Sequence, residues 1–312
     1  MAQGILLIDK PAGPSSFSVV AQVRKTLGVR RVGHAGTLDP LASGLLVVLV
    51  GAYTRLSDLL LGCDKTYEAC IAFGASTQTD DAEGQVLQQA DASHLNGRII
   101  EETCRGFVGD IEQIPPAYSA IHVNGKRAYE RVRKGQTVQL PARKVRIDAL
   151  QLLAWQPPHA TVRVHCSKGT YIRALARDVG KAVGVPAHLA GLRRTHSGCY
   201  ALADALCGSD LSQAPALLQA MLTGVEAVPG LPQVAVCERE ANELRYGRSI
   251  MKPDGPLRQD SVVSQNLATG NTSRQERAQC QHLAVAHCNN TLVALVRPSD
   301  DRWLPARVFT VS

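Results

Sequence analysis

The sequence predicts a chain of mixed α and β structure followed by a small β-rich domain. Three observations carry this. Apolar runs of strand length alternate with amphipathic stretches of helix length up to residue 183, Gly-Val-Glu-Ala-Val-Pro-Gly-Leu-Pro at 224–232 marks a boundary, and the segment beyond it holds four strand-like runs. At 312 residues and 45% hydrophobic, the chain can bury one large core or two smaller ones.

Gly4 to Ile8 reads as a short buried strand that Asp9-Lys10-Pro11 breaks. Ser15 or Ser16 then caps a helix with apolar positions Val19, Val20, Val23 and Leu27, and Gly28 closes it. After a Gly-rich loop, Leu45 to Val50 reads as a strand buried on both faces and Thr66 to Phe73 as another. Residues 76–84 are a polar loop, His94 to Phe107 a helix ending near Gly109, and Pro115-Pro116 stops any regular element. Val162, Val164 and Cys166 alternate as a strand, Gly169 turns the chain, and Thr170 can cap a helix whose apolar face is Ile172, Leu175, Ala176, Val179 and Val183. Beyond the boundary, Gln233 to Cys237, Leu283 to Cys288, Leu292 to Val296 and Ala306 to Val311 read as strands. Lys252 to Gln281 between them is polar, without apolar periodicity, and is expected to be a long mobile loop.

Leu45 to Val50 is the longest strongly apolar run, far below the ~20 residues that span a bilayer, and the first residues lack a basic segment followed by an apolar one. No membrane span or secretory signal is expected. Nine cysteines, at 63, 70, 104, 166, 199, 207, 237, 280 and 288, form an odd set with no C-x-x-C pair, which suits a reducing cytoplasm. Cys280, His282, His287 and Cys288 match no recurrent metal spacing, so no metal is expected. The net charge of +7 is unevenly spread. Residues 121–200 hold 15 Lys and Arg against Glu130, Asp148 and Asp178, a net +12, so the rest of the chain is −5. A polyanion partner follows. The most basic stretch, Ala120 to Gly135, carries Lys126, Arg127, Arg131, Arg133 and Lys134 with Tyr118 and Tyr129 nearby.

Two places could hold chemistry. Gly33-His34-Ala35-Gly36-Thr37-Leu38-Asp39-Pro40-Leu41-Ala42-Ser43-Gly44 precedes a strand that should be central, and its glycines let a ligand approach closely. Either Asp39 acts on that ligand, or it caps a turn begun by Pro40 and His34 is a surface loop residue. The second is Arg173, in the first turn of a helix, where a positive charge opposes the helix dipole at roughly 0.3 to 1 kcal/mol. An acidic partner or an RNA phosphate would offset that cost; otherwise the guanidinium swings into water. Tyr171 and Lys168 beside it favour a nucleic-acid contact.

The Gly33 to Pro40 stretch, Lys65-Thr66-Tyr67-Glu68-Ala69, Ser167-Lys168-Gly169-Thr170-Tyr171-Ile172-Arg173 and Leu192-Arg193-Arg194-Thr195 together resemble the TruB family of tRNA pseudouridine synthases. Gly4 to Pro11 and Thr79-Asp80-Asp81-Ala82-Glu83-Gly84 extend the resemblance, which is dense over residues 4 to about 200. It implies an α+β catalytic domain, residues 1–230, around a mixed, mainly antiparallel sheet, and a PUA-like RNA-binding domain at 233–312. It implies isomerisation of the T-loop uridine of tRNA, position 55 in tRNA numbering, with an accompanying tRNA-folding role open. By motif, Asp39 matches the catalytic aspartate, Tyr67 the tyrosine packed on the target base, and Arg173 the arginine paired with the aspartate. His34 matches a histidine that fills space vacated by flipped nucleotides, and Asp81, Tyr171 and Leu192 match substrate-binding positions. Pro115 to Arg143 matches a mobile RNA-gripping insertion, with Lys126, Arg127, Arg131, Arg133 and Lys168 expected on RNA. A monomer acting on the T-arm with no cofactor and no obligatory protein partner is implied. Tyr200, where Phe is expected, and the long Lys252 to Gln281 stretch depart from the pattern.

Two other classes compete. A non-catalytic RNA-binding module would use the same basic surface, but has no need of a carboxylate facing phosphates. A hydrolase of phosphorylated small molecules would want a carboxylate cluster that the Asp39 loop lacks.

Overall fold

The computed structural model describes residues 2–119, 122–123, 126–127, 131, 140–252 and 283–309. Contacts divide the chain into two compact units. Residues 1–40, 44–64 and 196–312 form the first, and residues 41–43 and 65–195 the second. The boundary expected near 230 falls inside the first unit.

In the first unit, the apolar run at the start forms strand β1, Gly4–Lys10, two residues longer than expected because Asp9 and Lys10 continue its ladder. The helix Ser16–Leu27 begins at Ser15, whose hydroxyl accepts from the Ser18 amide at 3.1 Å, and ends at Gly28 with a left-handed φ of 63° that glycine adopts without steric cost. Strands β2, Val32–His34, and β3, Ser43–Val50, follow. β3 pairs antiparallel with both β1 and β2, from Gly4↔Val50 to Lys10↔Gly44 on one edge and from Val32↔Val50 to His34↔Val48 on the other. Flanked on both edges, it is buried from Gly44 to Val50. His34 is therefore a half-buried strand residue and not a loop residue.

The second unit is built on β4, Lys65–Phe73, and continues with a hairpin of β5, Ala75–Thr77, and β6, Val86–Gln89. The polar stretch 76–84 thus starts inside a strand and supplies the hairpin turn. A helix, Gly97–Arg105, starts three residues later than the sequence suggests, because Asn96 caps it by accepting from the Ile99 amide at 3.1 Å. Strand β7 is Gly109–Gln113, and a two-residue pair, β8 His122–Val123 and β9 Lys126–Arg127, lies in the expected insertion. Then come β10, Arg143–Gln156, β11, His159–Cys166, the helix Ile172–Ala182 and β12, Ala187–Ser197. The sheet order is β12-β4-β11-β10-β7, antiparallel from β4 to β7. Ile71, Phe73, Ile100, Ile147, Val162, Val164, Leu175 and Val179 pack as its core. Full burial of each such aliphatic or aromatic side chain contributes about 1.5 to 3 kcal/mol.

The chain returns to the first unit with β13, Tyr200–Ala201, and β14, Leu206–Cys207, the latter parallel to β1. Tyr200 stands where phenylalanine is expected, and its buried hydroxyl donates to the Ala227 carbonyl at 2.5 Å. Burial raises its pKa well above the ordinary value, so it stays a neutral phenol. A five-stranded sheet of order β15-β17-β18-β19-β16 follows, from β15, Gln233–Ala235, β16, Ile250–Met251, β17, Ala284–Cys288, β18, Thr291–Ser299, and β19, Arg302–Val308. β19 starts four residues before the strand expected at Ala306, β15 ends two residues before the run expected at 233–237 does, and a helix, Glu238–Arg245, follows it. Val285, Leu292, Leu295 and Phe309 share one core with Ile5, Leu45 and Tyr53. The polar stretch at 252–281 lies outside the described residues after Lys252. Among the described residues, no helix is long and apolar enough to cross a membrane.

Candidate active site

Asp39 lies in irregular chain after β2, and its neighbours are held by their main-chain atoms. Ser16, 2% exposed at the start of its helix, donates to the Leu38 carbonyl at 2.9 Å and accepts from the Leu38 amide at 2.8 Å. Lys10, at the end of β1, is 0% exposed, and its ammonium donates to the carbonyls of Pro11 at 2.8 Å, Pro14 at 2.7 Å and Pro40 at 3.3 Å. The Gly13 amide also donates to the Pro40 carbonyl, at 2.8 Å. Asp39 therefore stands between two clamped residues. A buried ammonium is tolerated here because carbonyl oxygens replace its water. Gly36, at a φ of 117°, makes the turn between His34 and this segment.

In the second unit, Arg173 is 7% exposed, which overturns the reading in which its guanidinium swings into water. It donates to Asp81 Oδ2 at 3.2 Å, to the Thr79 carbonyl at 3.1 Å and to the Tyr118 carbonyl at 3.1 Å. Asp81 thus supplies an acidic partner of the kind the helix-dipole argument requires. That aspartate is itself 3% exposed, and its other oxygen accepts from the Thr79 hydroxyl and from the Glu83 amide at 3.1 Å. One helical turn on, Arg177 donates to Asp80 Oδ2 at 2.8 Å, to the Ile114 carbonyl at 2.7 Å and to Asp178 Oδ1 at 3.0 Å. Burial pushes the Asp80 carboxyl up by more than Arg177 pulls it down. Burial also opposes the charge on Arg177, but Asp178 and Asp80 together outweigh it and raise its pKa.

Tyr171, not Thr170, is the N-cap of the helix Ile172–Ala182. The Thr170 hydroxyl turns back to donate to the Ser167 carbonyl at 2.9 Å, and the side-chain amide of Gln113 holds the main chain of Tyr171. It accepts from the Tyr171 amide at 2.8 Å and donates to the Tyr171 carbonyl at 3.1 Å. Tyr67 in β4 and Leu192 in β12 are half-buried against the same core. The Leu192 carbonyl accepts from the Ser43 hydroxyl at 3.4 Å.

The first unit thus carries Asp39 and His34, and the second brings Arg173 onto Asp81 and sets Tyr171 at the head of the same helix. Among the expected RNA contacts, Lys168 is exposed, Arg131 is half-buried, Lys126 and Arg127 form β9, and Arg133 lies outside the described residues. Of the sulfur and imidazole groups weighed as metal ligands, Cys288 donates to Glu238 Oε1 at 3.4 Å, while Cys280 and His282 lie outside the described residues. Sequence reasoning missed Lys10, Ser16, Gln113 and Arg177. A lysine closing an apolar strand, and an arginine four residues after Arg173, were the available signals.

The family described as TruB family pseudouridylate synthase (N terminal domain) matches residues 24–172, and the tRNA pseudouridylate synthase B C-terminal domain matches residues 173–228. The chain is 46% identical over 242 residues to tRNA pseudouridine synthase B of Mycobacterium avium (strain 104), covering 76% of this chain and 78% of that protein. It is 42% identical over 274 residues to the protein of the same name from Arthrobacter sp. (strain FB24), covering 86% and 89%. Among solved structures, a Cbf5-Nop10-Gar1 complex contains a chain with a TM-score of 0.70 at 24% identity, covering 98% of this chain and 85% of that one. An H/ACA RNP bound to a substrate RNA containing 2'-deoxyuridine gives a TM-score of 0.68 at 23% identity, covering 99% and 85%. These two similarities show the fold: a mixed, mainly antiparallel α+β architecture with a β-rich C-terminal part. The motifs, the matched regions and the relatives agree, and the chain belongs to the TruB family of pseudouridylate synthases.

Proposed function

We propose that this protein converts the T-loop uridine of tRNA, position 55, to pseudouridine, with Asp39 as the essential carboxylate. Membership of the TruB family carries the reading, because the two matched regions, 24–172 and 173–228, take in every residue assigned a role in the uridine site. The N1 glycosidic bond breaks, uracil turns within the site, and the sugar carbon rejoins at C5, whose hydrogen leaves as a proton while N1 gains one. The RNA keeps its composition, one proton leaving as another is gained, and no electrons are exchanged with a cofactor. The base must leave the folded loop to turn, so it is flipped out.

In this reading Arg173 is the arginine that pairs with the catalytic aspartate, while Asp81 and the Thr79 and Tyr118 carbonyls aim the guanidinium. Tyr67 stacks on the uracil, Tyr171 and Leu192 line its pocket, and His34 fills the space left by flipped nucleotides. Lys126, Arg127, Arg131, Arg133 and Lys168 hold phosphates, consistent with the +12 charge of residues 121–200. Residues 1–230 form the catalytic part and 233–312 a PUA-like RNA-binding part, and the enzyme works as a cytoplasmic monomer. The test is tritium release from unfractionated tRNA labelled at uridine C5, since rejoining at C5 expels that hydrogen. Retention of all label in the presence of the wild-type chain overturns the proposal.

A further inference from the structure

Arg173 and Arg177 lie one turn apart on the helix Ile172–Ala182, and their contacts repeat. Arg173 takes the Asp81 carboxylate and the Tyr118 carbonyl, and Arg177 takes the Asp80 carboxylate and the Ile114 carbonyl. Each arginine thus ties one member of the Asp80–Asp81 pair to one point on the chain that enters the basic insertion. The second tie has no part in the reaction proposed above. We infer that Arg177, with Asp80, is a positioning residue that fixes the stem of the insertion, Ile114 to Tyr118, against the turn holding Asp81, and so sets the aim of Arg173.

Three observations favour positioning over plain stabilisation. Asp80 adopts a φ of 59°, a left-handed conformation unusual for a residue with a side chain, and its carboxylate shares Arg177 with Asp178. Ile114 has an exposed side chain, so Arg177 holds its carbonyl where packing does not hold its side chain. A cavity of about 480 Å³ opens beside the tie, with Leu87, Ile114, Pro115 and Leu140 on its walls, which leaves the stem room to shift once the tie is cut. The geometry also defines how the loss would spread. Tyr118 is four residues beyond Ile114, so release of Ile114 loosens the carbonyl on which Arg173 rests.

This inference rests on the proposed activity, and its test separates the two. The full chain is assayed by single-turnover tritium release from C5-labelled tRNA at saturating enzyme, with tRNA Kd measured alongside, for the wild type, Arg177→Met, Arg177→Lys, Asp80→Asn and the double variant Arg177→Met/Asp80→Asn. The expected result is a rate on the order of ten to a hundredfold lower for Arg177→Met and Asp80→Asn, with Kd within about threefold. Arg177→Lys should recover part of the rate, and the double variant should be no slower than Arg177→Met, since both changes cut one tie. Wild-type rates in Arg177→Met or Asp80→Asn, or a loss confined to Kd, overturn the inference. If Arg177→Met does not fold, Asp80→Asn decides. An inactive wild type refutes the activity instead, and the tie is then judged by amide exchange over Ile114 to Ser119: faster exchange in Asp80→Asn supports it and unchanged exchange overturns it.

Discussion

The segment around Asp39 and the platform around Arg173 are both rigid, but by opposite means. Near Asp39 the clamps grip main-chain atoms of Leu38 and Pro40, through Ser16, Lys10 and the Gly13 amide. Around Arg173 the side chains themselves are gripped, in a lattice of two arginines, two aspartates and four carbonyl or amide contacts from Thr79, Glu83, Ile114 and Tyr118. The difference teaches how each group can work. A residue whose neighbours are fixed can present its own side chain to chemistry, whereas one fixed through its guanidinium delivers a field along a set direction.

Substitutions can break either half of this comparison. Asp39→Asn keeps the main-chain clamp and removes the charge, so turnover should fall to background while tRNA Kd stays within about tenfold, or ~1.4 kcal/mol. Tritium release and filter binding on one preparation check both. Arg173→Lys keeps the charge and loses the planar fork that reaches Asp81 and two carbonyls at once, so the single-turnover rate should drop on the order of a hundredfold. An unchanged rate would show that charge alone suffices. Lys10→Met removes an ammonium from three carbonyls, at roughly 1 to 3 kcal/mol for each one left unsatisfied, so the thermal midpoint should fall along with the rate. Calorimetry and single-turnover kinetics together test this. Ser16→Ala, which loses two hydrogen bonds to Leu38, should cost about 1 to 3 kcal/mol of stability and a smaller factor in rate, with no change in tRNA Kd. A weakened Kd would mean that the Ser16 clamp serves RNA binding instead.

The sequence announced the parts of the fold whose signals are local. The first helix was legible because Ser15 and Gly28 bracket it and Val19, Val20 and Val23 fall on one face. Strand β10 was not, because register shifts after Ile147 and after Leu152 move its buried positions out of step, so no single alternation runs through it. The helix Glu238–Arg245 buries only Ala241 and Leu244, too few to show a period, and Glu240 supports its start by accepting from the Cys237 amide at 2.9 Å. β19 was misplaced because Pro305 interrupts its apolar pattern, and the structure accommodates that proline where the pairing with β18 shifts register. Asp39, Tyr67 and Arg173 are proposed through motif, while Lys10 reaches the Pro40 carbonyl and Ser16 the main chain of Leu38, both far along the chain. Such partners leave no pattern in sequence, because every residue offers the same main-chain atoms.

The last register pair of β1 and β3, Lys10↔Gly44, makes the chain between these residues a closed circuit, and the contacts from Lys10 to Pro40 and from Ser16 to Leu38 cross it twice more. What this geometry fixes is residue count rather than residue type. A single insertion or deletion between Lys10 and Ser16 would displace Asp39 by up to one residue's reach, about 3.3 to 3.6 Å, while leaving every side chain in the site intact. The turn between β5 and β6, by contrast, is anchored from Thr79 to Ala82, so added length beyond Gly84 would be absorbed at the exposed end of the hairpin.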